Sequence, residues 1–209
     1  MAKLDLKTFV LGELANNCYL IFNRESKNSF VIDCPLPTQE LDKFIRENNL
    51  EISFIALTHG HFDHISGLDN YSVPFYVHKK DILFLKDSRF NGSLFFSSPI
   101  TVKREPLVYE EKNPLYFEKE RIEIIHTPGH TPGSVTLKLN NWIFTGDALF
   151  YDSIGRTDVP FGSSAELIKA IRRKILTLPP EIIVYPGHGP STTVGREKAD
   201  NPFLQGADK

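Results

Sequence analysis

His59, His61, Asp63 and His64 place three imidazoles and a carboxylate within six residues. Together these groups suit zinc, iron or manganese better than calcium or magnesium, which take all-oxygen shells. A regular strand or helix would scatter neighbouring positions over different faces. Convergence at this spacing therefore needs a loop. The apolar run just before it, residues 52–57, reads as a buried strand that ends in such a loop. Three later segments repeat the arrangement. His126-Thr127-Pro128-Gly129-His130-Thr131-Pro132-Gly133 follows residues 122–125, where Ile122, Ile124 and Ile125 are apolar. Gly146-Asp147-Ala148 follows residues 142–145, and Pro186-Gly187-His188-Gly189-Pro190 follows residues 182–185. Glycines beside His130, Asp147 and His188 fit tight turns or close backbone approach.

The elements that must carry these loops are partly legible. Alternating or continuous apolar runs predict strands over residues 4–10, 18–22, 30–33, 52–57, 74–77, 121–125, 134–139, 142–145 and 182–185. Leu41, Phe44 and Ile45 at helical spacing predict a helix over 38–48, and a second helix is expected after His78 through Leu85. Ser163-x-x-Glu166 is a capping box for a helix running to about residue 178, with Leu167, Ile168, Ile171 and Ile175 on one face. Residues 87–115 show no period. Their apolar cluster Leu94-Phe95-Phe96 reads either as an excursion over a site or as a surface insertion, and its exposure would mark a partner surface or a substrate-facing lip. The tail from Ser191 is polar and expected at the surface. Asp63 has a bland alternative as the N-cap of a short helix. Cys18 and Cys34 lie in or beside apolar strand patterns and read as reduced core thiols.

Composition sets bounds. A chain of 209 residues, 41% hydrophobic and 24% charged, is within range of one ordinary globular domain. A formal net charge of −2 without a one-sign block argues against nucleic-acid binding. No apolar run approaches the roughly 20 residues that span a bilayer. The N-terminus lacks a signal-peptide core, so a cytoplasmic location is expected. Oligomeric state is open.

His59-x-His61-x-Asp63-His64, with the TPGHT, TGD and GHG elements at residues 127–131, 145–147 and 187–189, resembles the ligand signature of the metallo-β-lactamase superfamily. The resemblance spans roughly residues 16–202. It implies an αββα sandwich of two mixed sheets in one domain over 1–209, where periodicity alone gives only mixed α and β. It also implies that His59, His61 and His130 hold one metal, that Asp63, His64 and His188 hold a second, and that Asp147 bridges them. Two divalent ions, zinc first with iron or manganese also admissible, would share a hydroxide as nucleophile. Asp63 would both bind metal and orient that hydroxide. His78 and His126 have no place in this ligand set and are expected to be structural or supporting.

Within the superfamily, residues 146–150 and 153–158, the run Gly187-His188-Gly189-Pro190-Ser191-Thr192-Thr193, Glu197 and Asn201-Pro202-Phe203 are similar to short glyoxalase II (hydroxyacylglutathione hydrolase) proteins. That likeness implies hydrolysis of a thioester such as S-lactoylglutathione. Longer members add a helical C-terminal domain that helps hold glutathione, and this chain is expected to lack it. Arg156 is the basic residue expected nearest the substrate, with an ion pair to Asp158 as the other reading. A mononuclear-iron persulfide dioxygenase and a lactonase are the alternative enzymes. A metal-binding protein without turnover is the non-enzyme reading.

Overall fold

The computed structural model describes residues 3–96, 98–109 and 112–205. The chain opens with an antiparallel meander of β1 (Leu4–Leu11), β2 (Asn16–Asn23) and β3 (Asn28–Ile32). Helix α1 (Gln39–Asn48) crosses to β4 (Glu51–Ala56), which pairs parallel to β3. After the single turn α2 (Phe62–Ile65) come β5 (Phe75–Val77), α3 (Ile82–Lys86), α4 (Ser93–Phe96) and β6 (Leu107–Val108). The first sheet has the order β1-β2-β3-β4-β5-β6. The second begins with β7 (Leu115–Phe117), β8 (Glu120–His126), β9 (Val135–Leu139) and β10 (Trp142–Gly146), which pair in antiparallel succession. A small hairpin of β11 (Leu149–Phe150) and β12 (Ser153–Ile154) precedes α5 (Ser164–Ala170). Next come β13 (Ile183–Pro186), parallel to β10, then β14 (Thr192–Thr193) and α6 (Val194–Asp200). The order is β14-β13-β10-β9-β8-β7.

The period of two along each strand builds the layers. In β2, Cys18, Leu20 and Phe22 pack outward against Leu41 of α1 and Leu85 of α3. Tyr19 and Ile21 point the other way, onto Ile122, Leu137 and Phe144 of the second sheet. Ile143 of β10 faces away from that interface and meets Leu167, Ile171 and Ile175 of α5 and its continuation. The result is the αββα sandwich of the metallo-β-lactamase fold. β2 is buried along its whole length, and its central residues 18–22 read as a continuous apolar run between buried asparagines.

Helix α1 starts one residue after the predicted Thr38 and closes on Asn49, whose left-handed backbone (φ 53°) sends its N–H to the Ile45 and Arg46 carbonyls. The Ser163 hydroxyl accepts from the Glu166 N–H as the capping box requires, while residues 171–175 widen into a π-helical turn that keeps Ile171 and Ile175 buried. Both cysteines are free and buried, and burial pushes both thiols up.

The polar tail expected at the surface is there only in part: Ser191, Lys198 and Asp200 are exposed, but one side of it is buried. Thr192-Thr193 adds an edge strand, and Val194, Glu197 and Asn201 are fully buried. The Glu197 carboxylate accepts from the Thr192 hydroxyl, the Asn201 amide, the Arg196 guanidinium and the Asp152 N–H. A charge satisfied on every side can be buried, so polarity did not imply exposure here. The same network grips the β11–β12 hairpin, since Arg196 forks onto Asp152 and stacks 3.7 Å over the Tyr151 ring. Among the described residues, no helix is long and apolar enough to cross a membrane.

Candidate metal centre

The four loops singled out in the sequence follow the C-terminal ends of β4, β8, β10 and β13. Because β13 runs parallel to β10, both end at the same edge, and backbone hydrogen bonds tie the loops there. The Gly187 N–H donates to the Gly146 carbonyl at 2.8 Å, the Asn17 N–H to Gly187 at 2.7 Å, and the Val135 N–H to Thr58 at 2.8 Å. Gly187 is required by proximity, because a Cβ there would lie 2.1 Å from Asp147 Oδ1. Gly129, at φ +131°, lets the His130 loop seat on the start of α5, where a Cβ would meet the Leu167 nitrogen at 2.3 Å.

All seven expected ligands converge. The ligand atoms of His59, His61 and His130 form one group within 4.8 Å, those of Asp63, His64 and His188 another, and those of His59, His64 and Asp147 a third. Asp147 stands between the first two groups. Its oxygens lie 3.4 Å from His64 Nε2, 3.5 Å from His130 Nε2 and 3.6 Å from His188 Nε2. Asp63 Oδ2 is 3.1 Å from His188 Nε2, and His61 Nδ1 is 2.8 Å from His130 Nε2. His59 Nε2 and Asp147 Oδ1 are buried without a hydrogen-bond partner. Polar atoms in that condition cost free energy unless something binds them, and clustered lone pairs fit a cation. Asp63 lies inside α2, whose N-cap position is His61, so Asp63 does not cap it.

The far ring nitrogens are also fixed. His64 Nδ1 donates to Asp33 at 2.8 Å, His130 Nδ1 to the Arg156 carbonyl at 2.8 Å, and His188 Nδ1 to the Leu14 carbonyl at 2.9 Å. His59 Nδ1 is 3.1 Å from the Thr58 hydroxyl, which itself donates to Asp33. Each contact keeps the proton on Nδ1 and turns the Nε2 lone pair inward, the arrangement that orients metal-binding imidazoles. Burial pushes His61 down to about 3 and lowers His59 and His130 as well, so all three are neutral and able to donate a lone pair. At His64, burial acts the same way but is outweighed by Asp33, Asp63 and Asp147, which hold it well up. Asp147, despite its burial, is held well below the usual carboxylate range chiefly by His64.

Several residues that support the site escaped the sequence reading. Asp33 looked like the end of a strand, yet it is buried at φ 56° and accepts from the Thr58 N–H and hydroxyl as well as from His64. The Asn16 amide nitrogen lies 2.7 Å from His64 Nε2, while its oxygen is partnerless and buried. Asn17 donates to the Pro186 and Gly189 carbonyls on either side of His188. Asp81 joins the His59 and His130 loops by accepting from the Gly60 N–H, the Gly133 N–H and the Thr131 hydroxyl. Burial, opposed by those donors, pushes its carboxyl up to about 6, so it is ionised at neutral pH. Asp81→Ala would strand two buried N–H groups, a loss of about 2–5 kcal/mol. A urea unfolding midpoint equal to that of the parent would show that water replaces the carboxylate.

Arg156 contributes its backbone carbonyl to His130, while its guanidinium forks onto Asp158 at 2.8 and 2.9 Å. His78 and His126 stack on each other with centroids 4.4 Å apart, and His126 Nε2 is 2.9 Å from the Pro132 carbonyl.

Residues 11–188 match the Metallo-beta-lactamase superfamily, and the chain belongs to it. It is 37% identical to the hydroxyacylglutathione hydrolase GloC of Haemophilus influenzae, over 96% of this chain and 98% of that protein. Among solved structures, the BLEG-1 B3 metallo-beta-lactamase superposes with a TM-score of 0.90 at 37% identity, over 97% of this chain and all of that one. TTHA1623 in a di-iron-bound form superposes with a TM-score of 0.82 at 30% identity, over 95% of this chain and all of that one. The chain is a metallo-hydrolase of a superfamily that binds divalent metals, with a histidine-rich site able to hold them.

Proposed function

We propose that the protein is a dinuclear metal-dependent thioester hydrolase of the hydroxyacylglutathione hydrolase type, with S-lactoylglutathione as its reference substrate. The observation that carries this reading is the pair of ligand groups meeting at Asp147, with His59 Nε2 and Asp147 Oδ1 buried and unpartnered between them. His59, His61 and His130 would hold one ion, Asp63, His64 and His188 the other, and Asp147 would touch both. Two bound divalent ions supply a water with its pKa lowered to about 7 and a positive field for a developing oxyanion.

The chain's own part is positioning and proton handling. Asp63 is the one ligand carboxylate that also lines an open cleft, so it can orient the attacking water and hold its proton. Asp33, Thr58, Leu14 and the Arg156 carbonyl keep the imidazoles turned inward. A thiolate leaves without a proton donor, because thiols ionise near about 8.5. Thioester cleavage therefore asks for no separate general acid.

The GloC relative supports the thioester, and the di-iron form of TTHA1623 supports two metals and admits iron beside zinc or manganese. A persulfide dioxygenase with one iron would leave the Asp63, His64 and His188 group without a purpose. A lactone presents the same ester carbon and belongs in the substrate panel. The test is metal assay together with thiol release from thioesters and oxygen uptake on glutathione persulfide. Two metals per chain and thiol release are expected. One iron with oxygen uptake, or no turnover of any acyl substrate by a fully loaded sample, would overturn the reading.

A further inference from the structure

The cleft beside Asp63 carries information about the substrate that the metal ligands do not. It encloses about 590 Å³ between the β1–β2 turn, the segment before α1, and the stretch that carries α4. Its walls are Leu14, Leu36, Pro37, Phe62, Phe96 and Ile100, and Asp63 opens onto it. Leu36 and Phe96 keep 43% and 58% of their surface exposed, an expensive placement for large apolar side chains beside a reactive site. Phe96 is held there by stacking on Phe62, with centroids 5.5 Å apart. Of the exposed residues 94–96, Phe96 thus forms a lip of this cleft.

The charge is equally informative. Among the described lining residues, the charged side chains are Glu13 and Asp63, and no lysine or arginine is present. Three arginines in other loops are already committed: Arg89 to Asp87, Arg156 to Asp158, and Arg196 to Asp152. A glutathione conjugate has two carboxylates and one ammonium. Beyond whatever the metal site itself offers, it would have to set its net negative charge in an apolar cleft beside Glu13, with no lysine or arginine among the described walls to meet it.

We infer that the cleft takes the uncharged apolar arm of a neutral acyl thioester, one with a medium-length acyl chain on a small uncharged thiol, in preference to a glutathione conjugate. This rests on the thioester hydrolase reading for what happens at the metals, but not for what the cleft binds.

Two thioethers that cannot be hydrolysed, S-hexyl-N-acetylcysteamine and S-hexylglutathione, separate charge from apolar content by calorimetric titration of the metal-loaded protein. The neutral ligand is expected to bind at least about tenfold tighter, the factor that 1.4 kcal/mol supplies. Equal affinity, or tighter binding of the glutathione ligand, would overturn the inference. Glu13→Lys, on an exposed turn, is expected to shift the ratio several-fold toward S-hexylglutathione, and Leu36→Asp to weaken the neutral ligand. No change in either would count against the cleft.

In turnover, kcat/KM for acyl-N-acetylcysteamine thioesters is expected to rise about fourfold per added methylene from acetyl to hexanoyl. A flat series with brisk cleavage of S-lactoylglutathione would overturn the inference and sustain the hydrolase reading. Selective binding of the neutral ligand without thiol release from any thioester would do the opposite.

Discussion

Asp147→Ala is expected to hold at most one metal ion per chain and to lose about 10²–10³-fold or more in kcat, the range lost when one preorganised electrostatic partner is removed. The reason is placement. Among the described residues, Asp147 is the carboxylate placed beside His64, His130 and His188 together, so on the proposed dinuclear reading it is the group that would touch both ions. Folding should survive. Asp147 Oδ1 accepts no hydrogen bond, so its removal strands no donor on that side. The circular dichroism spectrum and urea midpoint should stay close to those of the parent while metal content falls. A variant that retained two ions and full turnover would show that Asp147 does not bridge.

Asp33→Asn should look similar in activity but differ in mechanism. The position has a left-handed backbone that asparagine accepts, so the substitution tests chemistry and not conformation. An amide can still accept from the Thr58 N–H. Its NH₂ then occupies the place of Asp33 Oδ2 and donates to His64 Nδ1. That forces the His64 proton onto Nε2, which points into the site. A loss of about 10–100-fold in affinity for the second ion is expected, typical of outer partners of metal-bound histidines. Excess zinc should then restore turnover to Asp33→Asn by mass action and fail to restore it to Asp147→Ala. Unchanged metal affinity in Asp33→Asn would mean that Asp33 matters only to packing.

The candidate ligands were legible because each lies in a contiguous run whose chemistry is local. His59 to His64 announce a loop by their spacing, and glycines flank His130, Asp147 and His188 for reasons a sequence reader can state. Strands were readable for a related reason, since burial on one or both faces leaves a period of two or a continuous apolar run. The strand placed at residues 52–57 is Glu51–Ala56, and the one at 121–125 is Glu120–His126.

What escaped was every group whose meaning depends on a distant partner. Asp33 and Asp81 are single carboxylates in unremarked contexts, and Glu197 stood out only as part of a family likeness, with no role attached. They become buried because Thr58 and His64, Thr131 and Gly133, and Thr192 and Asp152 are folded against them. Residues 94–96 had no readable period because α4 is one turn that exposes its apolar side chains. The cleft itself is assembled from four separated segments, and the lack of lysine and arginine among its described walls is a property of their sum. The class of chemistry was therefore written locally, in residues that act as neighbours in the chain. The orientation of those residues and the apolar character of the cleft beside them arose only from contacts across the fold, where the free energy of burying a charge or exposing a phenylalanine depends on what the rest of the chain brings to meet it.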